Sequence, residues 1–326
     1  MKPVRLMRAV GLAAAVGAPL AALIAPPALA EDASVAITQI VEHPALDAAR
    51  QGVQDALAAQ GYTVGENLEW TYESAQGNGA TAAQIANKFV GEAPTVIVAI
   101  ATPSAQAVVA KTKDIPVVFS AVTDPIAAKL VPQAEKPGGN VTGVSDLTPV
   151  GLHLAMINEA LGGGVKTIGI IYNPGESNSK VLVDLALEAA AEQGFEIVEA
   201  GAPKSADVKA AAESLVGKVD AIYVPTDNTV ISAFESVVGV GEQAKLPVFA
   251  GDTDSVERGA IAALGFDYYQ VGYKTGEVVA RILKGEAPGE IDVQYADLTM
   301  MSLKVNKDAA ARMGVDLPAS FLEKAQ

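Results

Sequence analysis

The chain contains no cysteine among its 326 residues. Disulfides, cysteine nucleophiles, cysteine-ligated metals and a lipid-bearing cysteine are therefore excluded. Histidine is nearly as scarce: only His43 and His153 occur, far apart, and no His/Cys cluster suggests a catalytic metal. There is no G-x-S-x-G elbow and no phosphate-binding loop, and the PGGN run at residues 137–140 precedes a predicted strand, unlike a dinucleotide fingerprint. The sequence favours a binding protein over an enzyme and predicts no cofactor.

Positive charge is also in short supply, with 23 Lys and Arg against 38 Asp and Glu, a formal charge of −15. Three of these cations, Lys2, Arg5 and Arg8, precede an apolar run from Ala9 to about Leu23. Without them the charge falls to −18, a field that disfavours nucleic acid and anionic membrane surfaces.

The first 30 residues have the pattern of a secretory signal peptide. The positive start and apolar run are followed by the small-residue pattern Ala28-Leu29-Ala30, which predicts cleavage after Ala30. A membrane anchor is the alternative, but the run is short and prolines interrupt it. We expect a soluble protein of a bacterial periplasm that is not a lipoprotein.

After the signal peptide, apolar strand-like runs alternate with helical patterns, which predicts parallel sheets flanked by helices. Three segments of the first half recur in order in the second, which indicates two homologous βαβ lobes. The pairs are LAAQGYTV (57–64) with AAEQGFEIV (190–198), VIVAIATPSAQAVV (96–109) with AIYVPTDNTVISAF (221–234), and IPVVFSAVTDP (115–125) with LPVFAGDTDS (246–255).

The sequence after residue 260 predicts further strands and helices, which two lobes joined by a single linker would not need. We therefore predict three crossings, near Val144–Asp146, Leu264–Asp267 and Leu298–Ser302. The predicted N-terminal lobe comprises residues 31–145 and 267–298. The predicted C-terminal lobe comprises residues 146–266 and 299–326.

Four segments carry a resemblance to a known family: VEHPALDAARQG (41–52), PGGNVTGVSD (137–146), IIYNPGESNS (170–179) and VPTDNT (224–229). They resemble the periplasmic substrate-binding proteins of ABC importers, in the subgroup with the type I periplasmic-binding fold that includes tryptophan- and tyrosine-binding members. The resemblance covers essentially the whole mature chain. It implies an α/β fold of two Rossmann-like lobes joined by three crossing segments.

The same resemblance implies a function. The lobes would close on a small ligand, most readily an amino acid and preferably an aromatic one, and a monomer would deliver it to an ABC permease in the inner membrane. Two alternatives stay open: a sugar or nucleoside binder of the same fold, and a ligand sensor for a membrane receptor.

Ligands of parallel sheets bind beyond the carboxyl ends of the strands. The loops at these ends offer hydroxyls, amides and carboxylates but no Lys or Arg. The resulting candidates are Glu42, His43, Thr102, Ser104, Thr123 and Asp124 in the first lobe, and Asn173, Ser177, Asn178, Thr226, Asp227, Asn228, Asp252 and Thr253 in the second.

A zwitterionic ligand needs a receptor for each charge. Thr102 and Ser104 begin a predicted helix, whose free N–H groups can hold a carboxylate together with the two hydroxyls. Asp227 and Glu42 are the favoured ammonium receptors, with Asp124 or Asp252 as substitutes.

Each role has a structural alternative. Ser104 and Asn228 could simply cap helices. Asp124, followed by Pro125, has the chemistry of a turn. Glu42 could be a solvated turn residue, and His43 a buried structural imidazole.

Overall fold

The structure is a computed structural model that describes Met1 and residues 32–325. The predicted signal peptide therefore lies, apart from Met1, outside the described residues. The strands are β1 (Ala33–Gln39), β2 (Leu68–Ser74), β3 (Val96–Ile100), β4 (Val117–Val122), β5 (Val141–Ser145), β6 (Thr167–Tyr172), β7 (Glu196–Gly201), β8 (Ala221–Val224), β9 (Val248–Ala250), β10 (Ala262–Gly265), β11 (Gln294–Tyr295) and β12 (Ser302–Val305).

Helices separate most of these strands, as the alternating pattern predicts. They are α1 (Pro44–Ala59), α2 (Gly79–Glu92), α3 (Thr102–Val109), α4 (Val150–Ala160), α5 (Ser177–Gln193), α6 (Val208–Leu215), α7 (Asn228–Ser232), α8 (Phe234–Ala244), α9 (Tyr268–Leu283), α10 (Lys307–Met313) and α11 (Ala319–Leu322). Among the described residues, no helix is both long and apolar enough to span a membrane.

The strands form two six-stranded sheets. The first has the order β11-β5-β4-β3-β1-β2 and is parallel throughout. The second has the order β12-β10-β9-β8-β6-β7, and only β12 runs antiparallel to its neighbour. The inner strands β3 and β4 are buried along their whole length, which is typical of a parallel sheet covered on both faces.

Each sheet has a hydrophobic core of its own. One core draws its buried residues from 35–144 and 266–293, the other from 150–263 and 309–321. The chain passes from one sheet to the other three times, at residues 146–149, 266–267 and 296–301. These passages lie close to the three predicted crossings, whereas the exact limits of the two lobes stay a prediction.

Two of the repeated segments show why an element begins or breaks where it does. In IPVVFSAVTDP (115–125), β4 begins only at Val117, because Pro116 has no N–H to donate to the ladder. In AIYVPTDNTVISAF (221–234), α7 ends before α8 begins, because Ala233 between them has a φ of −121° and leaves the helical region.

Helices α1 and α9 pack at very short range, and glycines make this possible. A Cβ on Gly272 would lie 1.8 Å from the carbonyl oxygen of Ala49, and one on Gly276 would lie 2.6 Å from the carbonyl oxygen of Val53. Since α9 follows a crossing segment and α1 belongs to the first repeat, this contact joins distant parts of the chain. The contact also fixes the position of the first turns of both helices relative to each other.

Replacing Gly272 with alanine tests this packing. We expect Gly272→Ala to lower the free energy of unfolding by about 3 kcal/mol, the upper end of the range for overpacking, because the methyl group must push the two backbones apart. Gly239→Ala is the matched control: Gly239 lies in α8 with nothing within 4 Å of an added Cβ. The control should stabilise the protein by about 0.5–1 kcal/mol. Denaturant unfolding measures both, and equal effects would refute the close packing.

Candidate functional site

A small cavity lies between the two sheets, at the carboxyl ends of their strands. Its walls come from both sheets and from two crossing segments. No Lys or Arg is among the described residues that line it: His43, Ala45, Leu46, Thr102, Ala121, Thr123, Asp146, Asn178, Thr226, Asn228, Ile231, Asp252 and Tyr268.

Half of the predicted site residues line this cavity, and they come from both repeats. They are His43, Thr102, Thr123, Asn178, Thr226, Asn228 and Asp252. The other candidates lie near the cavity without lining it: Glu42, Ser104, Asp124, Asn173, Ser177, Asp227 and Thr253. Whether any of the fourteen contacts a ligand stays a prediction.

The wall from the first sheet presents a helix start with unused donors. Thr102 begins α3, and no side chain caps that helix. The hydroxyls of Thr102 and Ser104 are buried and have no hydrogen-bond partner among the described residues. An uncapped helix N-terminus with free hydroxyls can receive an anionic group without a guanidinium.

The backbone is strained on the same wall. Ala101 precedes α3 with a φ of 73° and a ψ of 154°, a region that is essentially reserved for glycine. Ala121, which lines the cavity, has a φ of 53° and lies where the pairing of β4 with β5 shifts register between Phe119 and Val122. Such bulges re-aim the following side chains, here that of Thr123. Strain of this kind concentrates at ligand sites.

His43 lines the cavity at the start of α1 and carries no charge near neutral pH. Burial, and then the positive charge of Arg258, lower the pKa of His43 to about 3. Its Nδ1 atom has no hydrogen-bond partner among the described residues. A neutral imidazole has one donor and one acceptor, so His43 can bind a polar group without acting as a cation.

Asp146 and Tyr268 line the cavity and were not among the predicted site residues. Asp146 directly follows β5, and Tyr268 begins α9, so both lie at crossings between the sheets. The Tyr268 hydroxyl donates to Oδ2 of Asp146 at 2.6 Å, while Oδ1 of Asp146 is buried and has no hydrogen-bond partner among the described residues. Burial raises the pKa of Asp146, and the hydrogen bonds that this carboxyl accepts offset the rise only in part.

The wall from the second sheet is organised by Glu176, another residue that sequence reasoning missed. Its Oε2 accepts from the amide nitrogens of Asn228 at 2.6 Å and Asn178 at 3.2 Å. Its Oε1 accepts from the hydroxyl of Thr229 at 2.7 Å and the amide nitrogen of Asn173 at 3.3 Å. One buried carboxylate thus holds both lining amides in place.

Asp227, the favoured ammonium receptor, has its carboxylate oxygens occupied by the protein. Oδ2 accepts from the backbone N–H of Asn173 and the hydroxyl of Ser179, each at 2.6 Å. Oδ1 accepts from the N–H of Val230 at 2.8 Å and so caps α7. These contacts favour a supporting role for Asp227 beneath the cavity wall.

The remaining acidic candidates also have protein partners. Glu42 is exposed and accepts from the Tyr72 hydroxyl at 3.2 Å. Asp124 accepts from two backbone N–H groups of its own turn, which matches the structural alternative for this residue. Asp252 lines the cavity, but its two oxygens accept from the N–H and hydroxyl of Ser255.

A direct hydrogen bond links the two repeats beside the cavity. The amide nitrogen of Gln106, in α3, donates to the hydroxyl of Ser177, in α5, at 3.1 Å. Ser177 thus contributes to the contact between lobes. Thr253 is buried next to Asp252 and does not line the cavity.

Comparison with known proteins identifies the family. Residues 34–326 match the family described as ABC transporter substrate binding protein. The chain belongs to this family. The α/β architecture predicted for it, two parallel-dominated sheets in the type I periplasmic-binding fold, is confirmed.

Three relatives of this substrate-binding protein are informative. A tyrosine-binding protein from Clostridioides difficile (strain R20291) is 43% identical over 275 residues, 84% of this chain and 79% of the relative. A crystal structure from Streptococcus pneumonia, an ABC domain in complex with L-Trp, is 35% identical, with a TM-score of 0.86 over 90% of this chain and 99% of that chain. The ligand-free, open structure of a substrate-binding protein with adhesive properties from Clostridium difficile is 43% identical, with a TM-score of 0.66 over 90% of this chain and 98% of that chain.

The raised pKa of Asp227 predicts a particular pH dependence of stability. Burial, and then the charge of Glu176, raise the pKa of Asp227 to about 7. Because the unfolded value is about 3.9, the folded protein keeps a proton that the unfolded chain releases between pH 4 and 7. The contribution of this proton is therefore complete below about pH 4 and is lost as the pH rises through 7.

Asp227→Asn should make the protein less stable at pH 5, and the difference from the wild type should shrink by about 2–3 kcal/mol between pH 5 and pH 8. Unfolding in denaturant at a series of pH values measures this difference. Asp184→Asn, at an exposed position in α5, is the control and should show no such trend. A constant difference for Asp227→Asn would contradict a raised pKa.

Proposed function

We propose that this substrate-binding protein binds an L-amino acid, preferably an aromatic one, in the cavity between its lobes. The cavity is lined by residues of both lobes, as a ligand held between them requires. The names of two relatives, tyrosine-binding protein and a complex with L-Trp, support an aromatic amino acid.

The observation that carries the proposal is the unpartnered oxygen of Asp146. A buried carboxylate oxygen that accepts no hydrogen bond raises the free energy of the ligand-free protein. It gains a charge-assisted hydrogen bond when an ammonium group binds. The cavity also has the start of α3 and the hydroxyl of Thr102, which supply donors for a carboxylate. The two charges of a zwitterion therefore each have a receptor.

The apolar part of the ligand would contact the apolar lining. Ala45 and Leu46 contribute from α1, Ala121 from β4 and Ile231 from α7. We infer that the ligand bridges both lobes, since charged, polar and apolar lining residues come from each of them.

Bridging implies closure by rotation of the lobes about the three crossings. A ligand that contacts both lobes binds the closed form better and shifts the population towards it. The Gln106–Ser177 hydrogen bond, which joins the two repeats beside the cavity, supports closure. The greater structural likeness to the L-Trp complex than to the open relative, despite lower identity, also supports closure.

We further propose that the protein acts without catalysis, as a monomer in the periplasm, and delivers its ligand to an inner-membrane ABC permease. Family membership supports a location outside the cytoplasm. Cell fractionation with N-terminal sequencing checks the location: the mature chain should appear in the periplasmic fraction and begin at Glu31. A full-length, cytoplasmic chain would contradict it.

A thermal-shift screen of amino acids, sugars and nucleosides tests the ligand class. A ligand at 100 times its Kd stabilises the native state by about 2.7 kcal/mol. Aromatic L-amino acids should therefore raise the melting temperature by roughly 5 °C. A shift with sugars or nucleosides alone would overturn the amino acid proposal.

Asp146→Asn tests whether Asp146 binds the ammonium group of the ligand, because an amide binds an ammonium much less well than a carboxylate does. Its affinity for the best amino acid should fall more than roughly tenfold, as measured by titration calorimetry. Asp184→Asn makes the same change of charge at an exposed position and should keep wild-type affinity. Equal affinity in the wild type and in Asp146→Asn would remove Asp146 from the site.

A further inference from the structure

Glu176 stands at the position just before α5, where an acidic side chain ordinarily accepts hydrogen bonds from the first N–H groups of the helix. Here the side chain makes no capping hydrogen bond. The carboxylate instead turns to Asn178 and Asn228, the two amides that line the cavity. Glu176 itself is 8% exposed and does not line the cavity.

The chemistry of a carboxylate fixes the orientation of these amides. Oε2 of Glu176 accepts from both amides, so Asn178 and Asn228 each direct their NH₂ group towards Glu176. Their carbonyl oxygens are then left for other partners. The Oδ1 atom of Asn178 is buried and has no hydrogen-bond partner among the described residues.

Two further contacts hold Glu176 in this orientation. Thr229 donates to its Oε1 at 2.7 Å, and Asn173 donates to the same oxygen at 3.3 Å. Asn173 also donates to Thr229 at 2.8 Å, which links the two donors to each other. All four partners of Glu176 are neutral, and no cation within ion-pair distance of it occurs in the described part of the chain.

We propose that Glu176 is a positioning residue that makes two amides of the second-lobe wall, Asn178 and Asn228, accept hydrogen bonds from the cavity and not donate them. The wall then selects ligands that present an N–H or O–H donor to Asn178 and Asn228, and rejects analogues with a lone pair in that place. This selection rests on the proposed function, because it concerns a ligand in the same cavity. The donor is either the ligand's ammonium group or a polar hydrogen on its ring.

Glu176→Met tests the proposal with little change of side-chain length. Asn178 and Asn228 donate to the same oxygen, Oε2, so one acceptor fixes both amides. A glutamine could keep its oxygen in that place, whereas methionine has no oxygen there. Each amide in Glu176→Met can then turn its NH₂ group towards the cavity. The wall would gain donors, and its selectivity would change as well as its affinity.

The probes are L-tyrosine, L-phenylalanine, O-methyl-L-tyrosine and 3-(4-hydroxyphenyl)propionate, measured by titration calorimetry. The second and third lack the ring donor and the fourth lacks the ammonium, so the set identifies which donor the two amides recognise. In the wild type, removal of that donor should cost at least tenfold in affinity, since it leaves a buried acceptor unpaired. In Glu176→Met the same affinity ratio should fall by about tenfold.

Equal weakening of all four probes in Glu176→Met would mean that Glu176 only supports the loop, and would overturn the selectivity proposal. Glu188→Met makes the same change on the exposed face of α5 and should leave the ratio unchanged. If Glu176→Met does not fold, Thr229→Val removes one donor that holds Glu176 and should lower the ratio by a smaller factor; an unchanged ratio there would also overturn it.

A ligand-free measurement separates this inference from the proposed function. The side-chain NH₂ resonances of Asn178 and Asn228 report their hydrogen bonds to Glu176, and both should shift in Glu176→Met but not in Glu188→Met. Unshifted resonances would refute the orientation of the amides whatever the ligand is. If these resonances shift but none of the four probes binds the wild type, the proposed amino acid ligand has failed, and the selection of these ligands falls with it.

Discussion

The site depends on polar atoms that are buried around the cavity and that have no hydrogen-bond partner among the described residues. A buried donor or acceptor that loses water must find another partner or raise the free energy of the folded state. Oxygens of Thr102, Asp146, Asn178 and Thr226 are in this position, as is Nδ1 of His43. They come from both sheets and from a crossing segment, so a small polar ligand between the lobes would satisfy them together.

The fold explains why these groups meet. In each parallel sheet the strand carboxyl ends and the following helix starts lie at one edge, and the three crossings bring these two edges face to face. The close packing of α1 against α9 holds His43 and Tyr268, at the starts of these helices, at the cavity. Because helix starts provide donors, the site needs no Lys or Arg in its lining to receive a carboxylate.

Much of this arrangement could be predicted from the sequence, because ligands of parallel sheets bind beyond the carboxyl ends of the strands. Polar residues such as Thr123 and Asp252 follow the repeated strands at these ends. Asp146 obeys the same rule after β5, but the sequence pattern also fits a crossing between the lobes there and does not single this residue out for the site. The sequence pattern could not show whether the carboxylates of Glu176 and Asp227 face a ligand or the protein. Both residues are acidic and lie beside the site, and only their hydrogen bonds show that they accept from neighbouring protein groups.

The proposed closure of the lobes on a bridging ligand is tested most directly by a distance between the lobes. The absence of native cysteine allows two spin labels to be placed cleanly, through Lys111→Cys beyond the end of α3 and Lys180→Cys in α5, both at exposed positions. Pulsed electron spin resonance should give a broad or longer distance distribution without ligand and a single shorter distance with saturating L-tryptophan or L-tyrosine. Identical distributions in both states, with ligand shown to be bound, would contradict closure.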